Sequence, residues 1–158
     1  MADRLLLNES KGYGKCVSFK AHKDLDRGMF LEIVGMADSV ITGSEGFDHE
    51  LLKVKDATAE TKRGNLVVNI SVPKMYDDKL TEREYYTPKD TAGRGRIPET
   101  MCTHIYAASL VTGGVAAGDL LKIGAGVLEK DTEGTNAIAV VKEVLNWEGQ
   151  ESVKVRYL

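Results

Sequence analysis

The run Glu151-Ser152-Val153-Lys154-Val155-Arg156-Tyr157-Leu158 alternates between the two faces of an extended chain. Val153, Val155 and Tyr157 fall on one side, with Lys154 and Arg156 on the other. That is the period of a strand with one buried face. The run reaches the final residue, so the C-terminus is expected to be zipped into a sheet.

Upstream the same grammar repeats. Asn136-Ala137-Ile138-Ala139-Val140-Val141-Lys142-Glu143-Val144-Leu145 has neither Pro nor Gly. Propensity alone leaves a helix open there, but its Val and Ile content and the turn at 131–135 favour a strand. Gly118-Asp119-Leu120-Leu121-Lys122-Ile123-Gly124, Gly126-Val127-Leu128-Glu129 and the apolar run 104–111 are further strands bounded by turn residues. In the N-terminal zone, strands are expected over 15–20, 28–35, 39–42, 51–55 and 65–72. Gly28-Met29-Phe30-Leu31-Glu32-Ile33 and Gly118-Asp119-Leu120-Leu121-Lys122-Ile123 share a Gly, x, apolar, Leu, charged, Ile pattern. This is an internal echo of one hexapeptide.

Composition agrees with a mainly β chain. Its 158 residues include 16 Gly, only 3 Pro and 6% aromatics, as many tight turns between short strands require. At 42% hydrophobic and 28% charged it can fill a core. A net charge of −3 argues against a general nucleic-acid binder. No stretch approaches the ~20 apolar residues of a membrane helix. Leu5-Leu6-Leu7 is too short for the apolar core of a signal peptide, so synthesis and folding in a cytoplasm are expected. Cys16 and Cys102 are accordingly read as reduced, mostly buried thiols.

Residues 73–100 differ in kind. Pro73, Pro88 and Pro98 all fall there, with Tyr76, Tyr85 and Tyr86 and a balanced set of charges. Residues 78–84 could form a helical turn, whereas 87–96 cannot form a helix. A connection this long with no clear element is read as a surface loop or as an arm that orders against a neighbouring subunit. Tyr and Arg are enriched at interface hot spots, so Tyr76, Tyr85, Tyr86, Arg94 and Arg96 are the candidate partner-contact residues. The organisation expected is one β-rich domain over 1–158, with potential lobes 1–72 and 101–158 on either side of this connection.

Tests for chemistry find none. Lys11-Gly12-Tyr13-Gly14-Lys15-Cys16 lacks the earlier Gly and the Ser/Thr of a phosphate loop, and Gly124-Ala125-Gly126 lacks the third Gly and the helix of a dinucleotide fingerprint. His22, His49 and His104 are scattered, and Asp48-His49-Glu50 reads as a solvated loop, so no metal or cofactor is expected. Ser71-Val72-Pro73-Lys74 has Ser-x-x-Lys spacing, but Pro73 ends a strand where that motif needs a helix, and its companion motifs are absent. No catalytic residue is assigned. The Asn8-Glu9-Ser10 and Asn69-Ile70-Ser71 glycosylation patterns have no secretory route to make them meaningful.

The C-terminal zone has a further property. Its Gly118–Gly124 strand, Gly126–Glu129, the Ala137-Ile138-Ala139-Val140-Val141 strand and the terminal Val153–Leu158 run resemble the capsid decoration (cement) proteins of tailed phages. The resemblance spans about residues 105–158. It implies a small β-barrel or tulip-like fold and attachment to the outside of an assembled icosahedral shell. It further implies the major capsid protein as partner, often a trimer, and stabilisation against internal pressure. No contact residue carries over, because the match lies in scaffold strands. The alternatives are a tail or baseplate subunit, and a small β-barrel domain that binds or hydrolyses a ligand.

Overall fold

The computed structural model describes residues 6–9, 16–36, 51–72 and 85–158. The strand expected at 39–42, the 48–50 loop, the helical turn at 78–84 and Tyr76 lie outside them. The chain is mainly β. β2 (Cys16–Lys20), β4 (Phe30–Met36), β5 (Leu52–Asp56), β6 (Leu66–Asn69) and β8 (Ala92–Arg96) close a barrel in the order β2-β5-β4-β6-β8. β1 (Leu6–Glu9), β9 (Thr103–Ala107), β10 (Val111–Thr112), β11 (Leu120–Gly124), β12 (Val127–Lys130), β13 (Ala139–Trp147) and β14 (Gln150–Tyr157) build a sheet in the order β1-β9-β14-β13-β11-β12-β10. A short ribbon pairs β3 (Leu25–Asp26) with β7 (Tyr86–Thr87).

The run at 136–145 becomes strand from Ala139 onward, as part of β13. Its partner is β14, whose Val153, Val155 and Tyr157 are buried as the alternation requires. A helix would have left that edge of the terminal strand unpaired.

The connection at 73–100 is corrected by the fold. From residue 86 onward it is not a free arm, because β7 completes the ribbon and β8 closes the barrel against β2 and β6. The two lobes do not divide there either. β1 comes from the N-terminal zone yet pairs with β9, and β8 belongs to the barrel. The sequence Ala92-Gly93-Arg94-Gly95-Arg96 hides this strand because its inward positions are glycines. A Cβ on Gly93 would lie 2.4 Å from the Phe19 ring, and one on Gly95 would lie 2.1 Å from Val67. The barrel is too narrow for side chains from every strand. Phe19 and Val67 fill its interior, and β8 contributes backbone alone.

Two cores result. Phe19, Ala21, Leu25, Leu31 and Val54 pack inside the barrel. The larger core joins barrel to sheet: Phe30, Leu66, Val68 and Ile70 from the barrel's outer face meet Tyr106, Leu121, Leu128, Val153, Val155 and Tyr157. The Phe30 ring lies 6.0 Å from Tyr106 and 6.5 Å from Tyr157. Each such buried side chain contributes roughly 1.5–3 kcal/mol, so neither half is expected to hold its shape alone.

The internal echo has a structural counterpart. Gly28 and Gly118 both take positive φ, +94° and +92°, in turns closed by Met29 N–H to Asp26 C=O and by Asp119 N–H to Ala116 C=O. Gly28 N–H donates to Asn69 C=O (2.7 Å), as Gly118 N–H does to Val141 C=O (2.8 Å). Ala57 N–H reaches Phe30 C=O as Asp131 N–H reaches Leu120 C=O. Phe30 pairs with Val68 where Leu120 pairs with Val140. Thus β4-β5-β6 and β11-β12-β13 share one construction: a Gly turn, a strand, its return, and a third strand on the first strand's other edge.

Asn69, fully buried, stitches the ribbon to the barrel. Its Nδ2 donates to Asp26 C=O (3.1 Å), Leu25 C=O (3.3 Å) and Thr87 Oγ1 (3.2 Å). Its Oδ1 accepts from Ser71 N–H and Ser71 Oγ, and Ser71 Oγ in turn accepts from Arg94 N–H (2.8 Å).

Gly95→Val is expected to destabilise the protein by more than about 3 kcal/mol in urea unfolding, through overpacking with no room to relax. Arg94→Ala, one residue away on the outer face, is expected to stay within about 0.5 kcal/mol. Equal effects would mean that β8 does not seal the barrel.

Candidate functional site

The structure distributes the candidate contact residues between two places. Tyr86 stands exposed on β7, opposite Asp26, and Tyr85 is half-buried beside it. Arg94 is exposed on the barrel's outer face across from Ser18, and Arg96 lies half-buried across from Cys16 and Val68. The arm thus resolves into a ribbon patch and a barrel patch, each on fixed backbone.

A group that motif reasoning passed over lies where barrel meets sheet. His104, Tyr106 and Tyr157 are buried together. His104 Nδ1 lies 2.9 Å from Tyr157 Oη and 3.1 Å from Tyr106 Oη, and the two hydroxyls hydrogen-bond each other. Burial, then the charges of Arg96 and Arg27, lower the His104 pKa from 6.5 to about 4. Burial first, then Tyr106, pushes Tyr157 well above its ordinary value. At neutral pH the imidazole and the Tyr157 phenol are therefore uncharged, and Nδ1 can accept a hydrogen bond from a hydroxyl. Period-two alternation does place Tyr106 and His104 on one face of β9. Nothing local shows that Tyr157, fifty-one residues on, completes the group.

The polar loops are occupied structurally. Asp131 receives the N–H groups of Glu133, Gly134 and Asn136 at 3.0–3.2 Å. Burial opposes its ionisation, but these bonds outweigh burial and hold its carboxyl below the usual range. Asp119 accepts from Ala116 N–H (2.8 Å) and pairs with Lys130 at 2.7 Å, which lowers its pKa also. His22 Nε2 and Lys23 Nζ both reach the Asp56 carboxylate. Among the described residues, no group of three or more His, Cys, Asp or Glu is arranged to hold a metal ion. None of their helices is long and apolar enough to cross a membrane. Neither cysteine is joined in a disulfide, and Cys16 is exposed on β2, not buried as its reading supposed.

Two surfaces stand out as accessible. One is the β13–β14 hairpin. β11 pairs with β13 only at Ala139 and Val140, so beyond them β14 is the sole strand beside β13 among the described residues. The hairpin ends in a two-residue loop, Glu148-Gly149, with φ of +49° and +85°, the primed-turn conformation that matches strand twist. Val144 is 52% exposed, Leu145 and Trp147 are half-buried, and Glu143 and Glu151 are exposed around them. The other surface is the barrel wall of β2 and β5. Lys20 pairs in register with Lys53, and Lys55 follows on the same face, beside exposed Val34 at the β4 bulge.

No family model and no curated protein matches the chain. A solved structure, the head fiber gp8.5 N base in bacteriophage phi29, is similar at 10% identity with a TM-score of 0.49. The alignment covers 91% of this chain and 93% of that one.

Acid is expected to loosen the joint between barrel and sheet. His104 binds a proton near pH 6.5 when unfolded but only near 4 when folded, so its contribution is intact above pH 6.5 and is lost as pH falls toward 4. The full loss is on the order of 3 kcal/mol. Unfolding free energy measured between pH 7 and pH 4 should fall along this slope in the wild type. In His104→Gln the slope should flatten, whatever that variant's baseline. An unchanged slope would remove His104 as its source.

Proposed function

We propose that this protein is a virion structural component that binds the outer surface of an assembled phage capsid and stabilises the shell. It acts by surface contact rather than catalysis, as a homo-oligomer with a trimer favoured, and the major capsid protein is its partner. The observation that carries this reading is the fold of residues 118–157. The stretch whose sequence resembles decoration proteins forms four successive antiparallel strands, β11 to β14. They end in a hairpin that extends past its neighbours and presents Val144 and Trp147 among charged side chains.

Such a module suits decoration. A rigid backbone loses little conformational entropy on docking, and repetition over a symmetric shell multiplies a modest affinity. Tyr76, Tyr85, Tyr86, Arg94 and Arg96 are the proposed shell contacts, since Tyr and Arg combine large area with a polar handle. The site of action that follows is the capsid exterior, after synthesis in the host cytoplasm.

Purified capsids lacking this protein provide the test. Added protein should co-sediment with them saturably and raise the temperature at which the shell releases its contents. Tyr86→Ala is expected to weaken binding about tenfold while the isolated protein unfolds at nearly the wild-type temperature. Failure to co-sediment at any protein concentration would overturn the proposal.

A further inference from the structure

On the barrel wall the strand register gathers charge of one sign. β8, β2 and β5 lie side by side and together carry five Lys and Arg against one acid, Asp56. Phe19, Val54, Gly93 and Gly95 face inward, so Lys20, Arg94, Lys53 and Lys55 face out. Arg94 pairs with Ser18, two residues before Lys20, and Lys20 pairs with Lys53, two residues before Lys55. At about 4.8 Å between strands and about 3.3 Å per residue, these four cations form an oblique stripe roughly 16 Å long. Asp56 is taken up by His22 and Lys23 at the end of β5. Asp90 reaches Lys20 from the adjoining turn at 3.6 Å, and Glu32 reaches Lys55 from β4 at 3.4 Å. Arg94 and Lys53 have no ion-pair partner among the described residues.

Elsewhere the described ladders oppose unlike charges. Lys122 faces Glu129, Glu143 faces Lys154, and Glu32 faces Lys55. Lys20 and Lys53 are the one directly opposed pair of like sign in those ladders. Like charges so placed are destabilising. The barrel's packing does not call for them, since both ammonium groups lie outside it.

We propose that the β8–β2–β5 wall docks on an acidic protein surface through Arg94, Lys20, Lys53 and Lys55. This rests on the function proposed above, in which that surface belongs to the capsid shell, and adds to it the face and the charge of the contact. An acidic partner supplies the countercharge that Arg94 and Lys53 lack and relieves the Lys20–Lys53 repulsion. Nucleic acid is the poorer fit. The one aromatic residue of the three strands, Phe19, is inside the barrel, so no base can stack on the wall. A net charge of −3 also opposes a polyanion. The stripe is smaller than the roughly 800 Å² per partner of a stable interface. It therefore steers the approach and fixes the register, and repetition over the shell multiplies its modest affinity.

Two assays in parallel test this. One is co-sedimentation with purified capsids lacking this protein, at about 0.05 M and about 0.5 M salt. The other is fluorescence anisotropy of a labelled polyglutamate and a labelled single-stranded oligonucleotide in the same buffers. The wild type should bind capsids and polyglutamate at low salt and weaken about tenfold at high salt. Lys53→Glu turns the like pair with Lys20 into an unlike one. Its melting temperature should equal or exceed the wild type's while capsid binding weakens about fivefold. Arg94→Glu with Lys53→Glu should lose polyglutamate binding and most of the salt dependence. Lys142→Glu, the same charge change on exposed β13, should leave both within about twofold. Capsid binding that ignores salt and both wall variants would overturn the wall contact and leave the shell reading intact. Wall-dependent binding of polyglutamate without any binding to capsids would overturn the shell reading and support the acidic partner. Tighter binding of the oligonucleotide than of polyglutamate at equal salt would overturn the choice of a protein.

Discussion

The fit of the Phe19 ring against the bare backbone of Gly93 and Gly95 is the constraint from which the rest of the structure follows. A barrel of five short strands has little interior, and one aromatic ring with Leu31, Val54 and Val67 fills it. The fifth strand can approach only without side chains on its inner face. Its closure fixes the outward direction of Arg94 and Arg96 and supplies Arg94 N–H to Ser71, which accepts it beside Asn69. Through Asn69 the β3–β7 ribbon is held in place, and with it Tyr86. One steric requirement therefore positions every described candidate contact residue.

The barrel's other achievement is its outer face. Phe30, Val68 and Ile70 point away from the interior and become half of the larger core. The sheet's Tyr106, Tyr157 and His104 answer them. Two phenols and a neutral imidazole satisfy one another there, where a charged group would need water. The same neutrality is expected to make the joint sensitive to acid. The barrel and sheet thus share one core, although their strands come from interleaved stretches of chain.

Most of the β architecture was legible because burial enforces alternation. Residues 15–20, 28–35, 51–55, 118–129, 136–145 and 151–158 each carry the apolar pattern of strands with a covered face; 118–129 contains β11 and most of β12, and each of the others contains one strand. β8 was illegible for a physical reason: glycine inside a barrel leaves no apolar signal, and Gly between Arg residues looks like a loop. The ribbon strand β7 was hidden in the same way, since two residues are too few to show a period. The His104–Tyr106–Tyr157 group could not be read either, because its members meet only through strand order in the sheet.

The field at each surface depends on which strands lie side by side, which a net charge of −3 does not show. Strand order brings Lys20 next to Lys53 on the barrel and sets Glu143 opposite Lys154 on the hairpin. The duplicated construction sharpens the contrast. β4-β5-β6 and β11-β12-β13 begin from equivalent Gly turns, yet the first copy is rolled into a closed barrel and the second stays in an open sheet. Closure removes strand edges in one half, and extension of β13 and β14 creates a projecting element in the other. One construction therefore ends in two different surfaces: a barrel wall without free edges, and a hairpin whose β13 edge has no strand beside it beyond Val140 among the described residues.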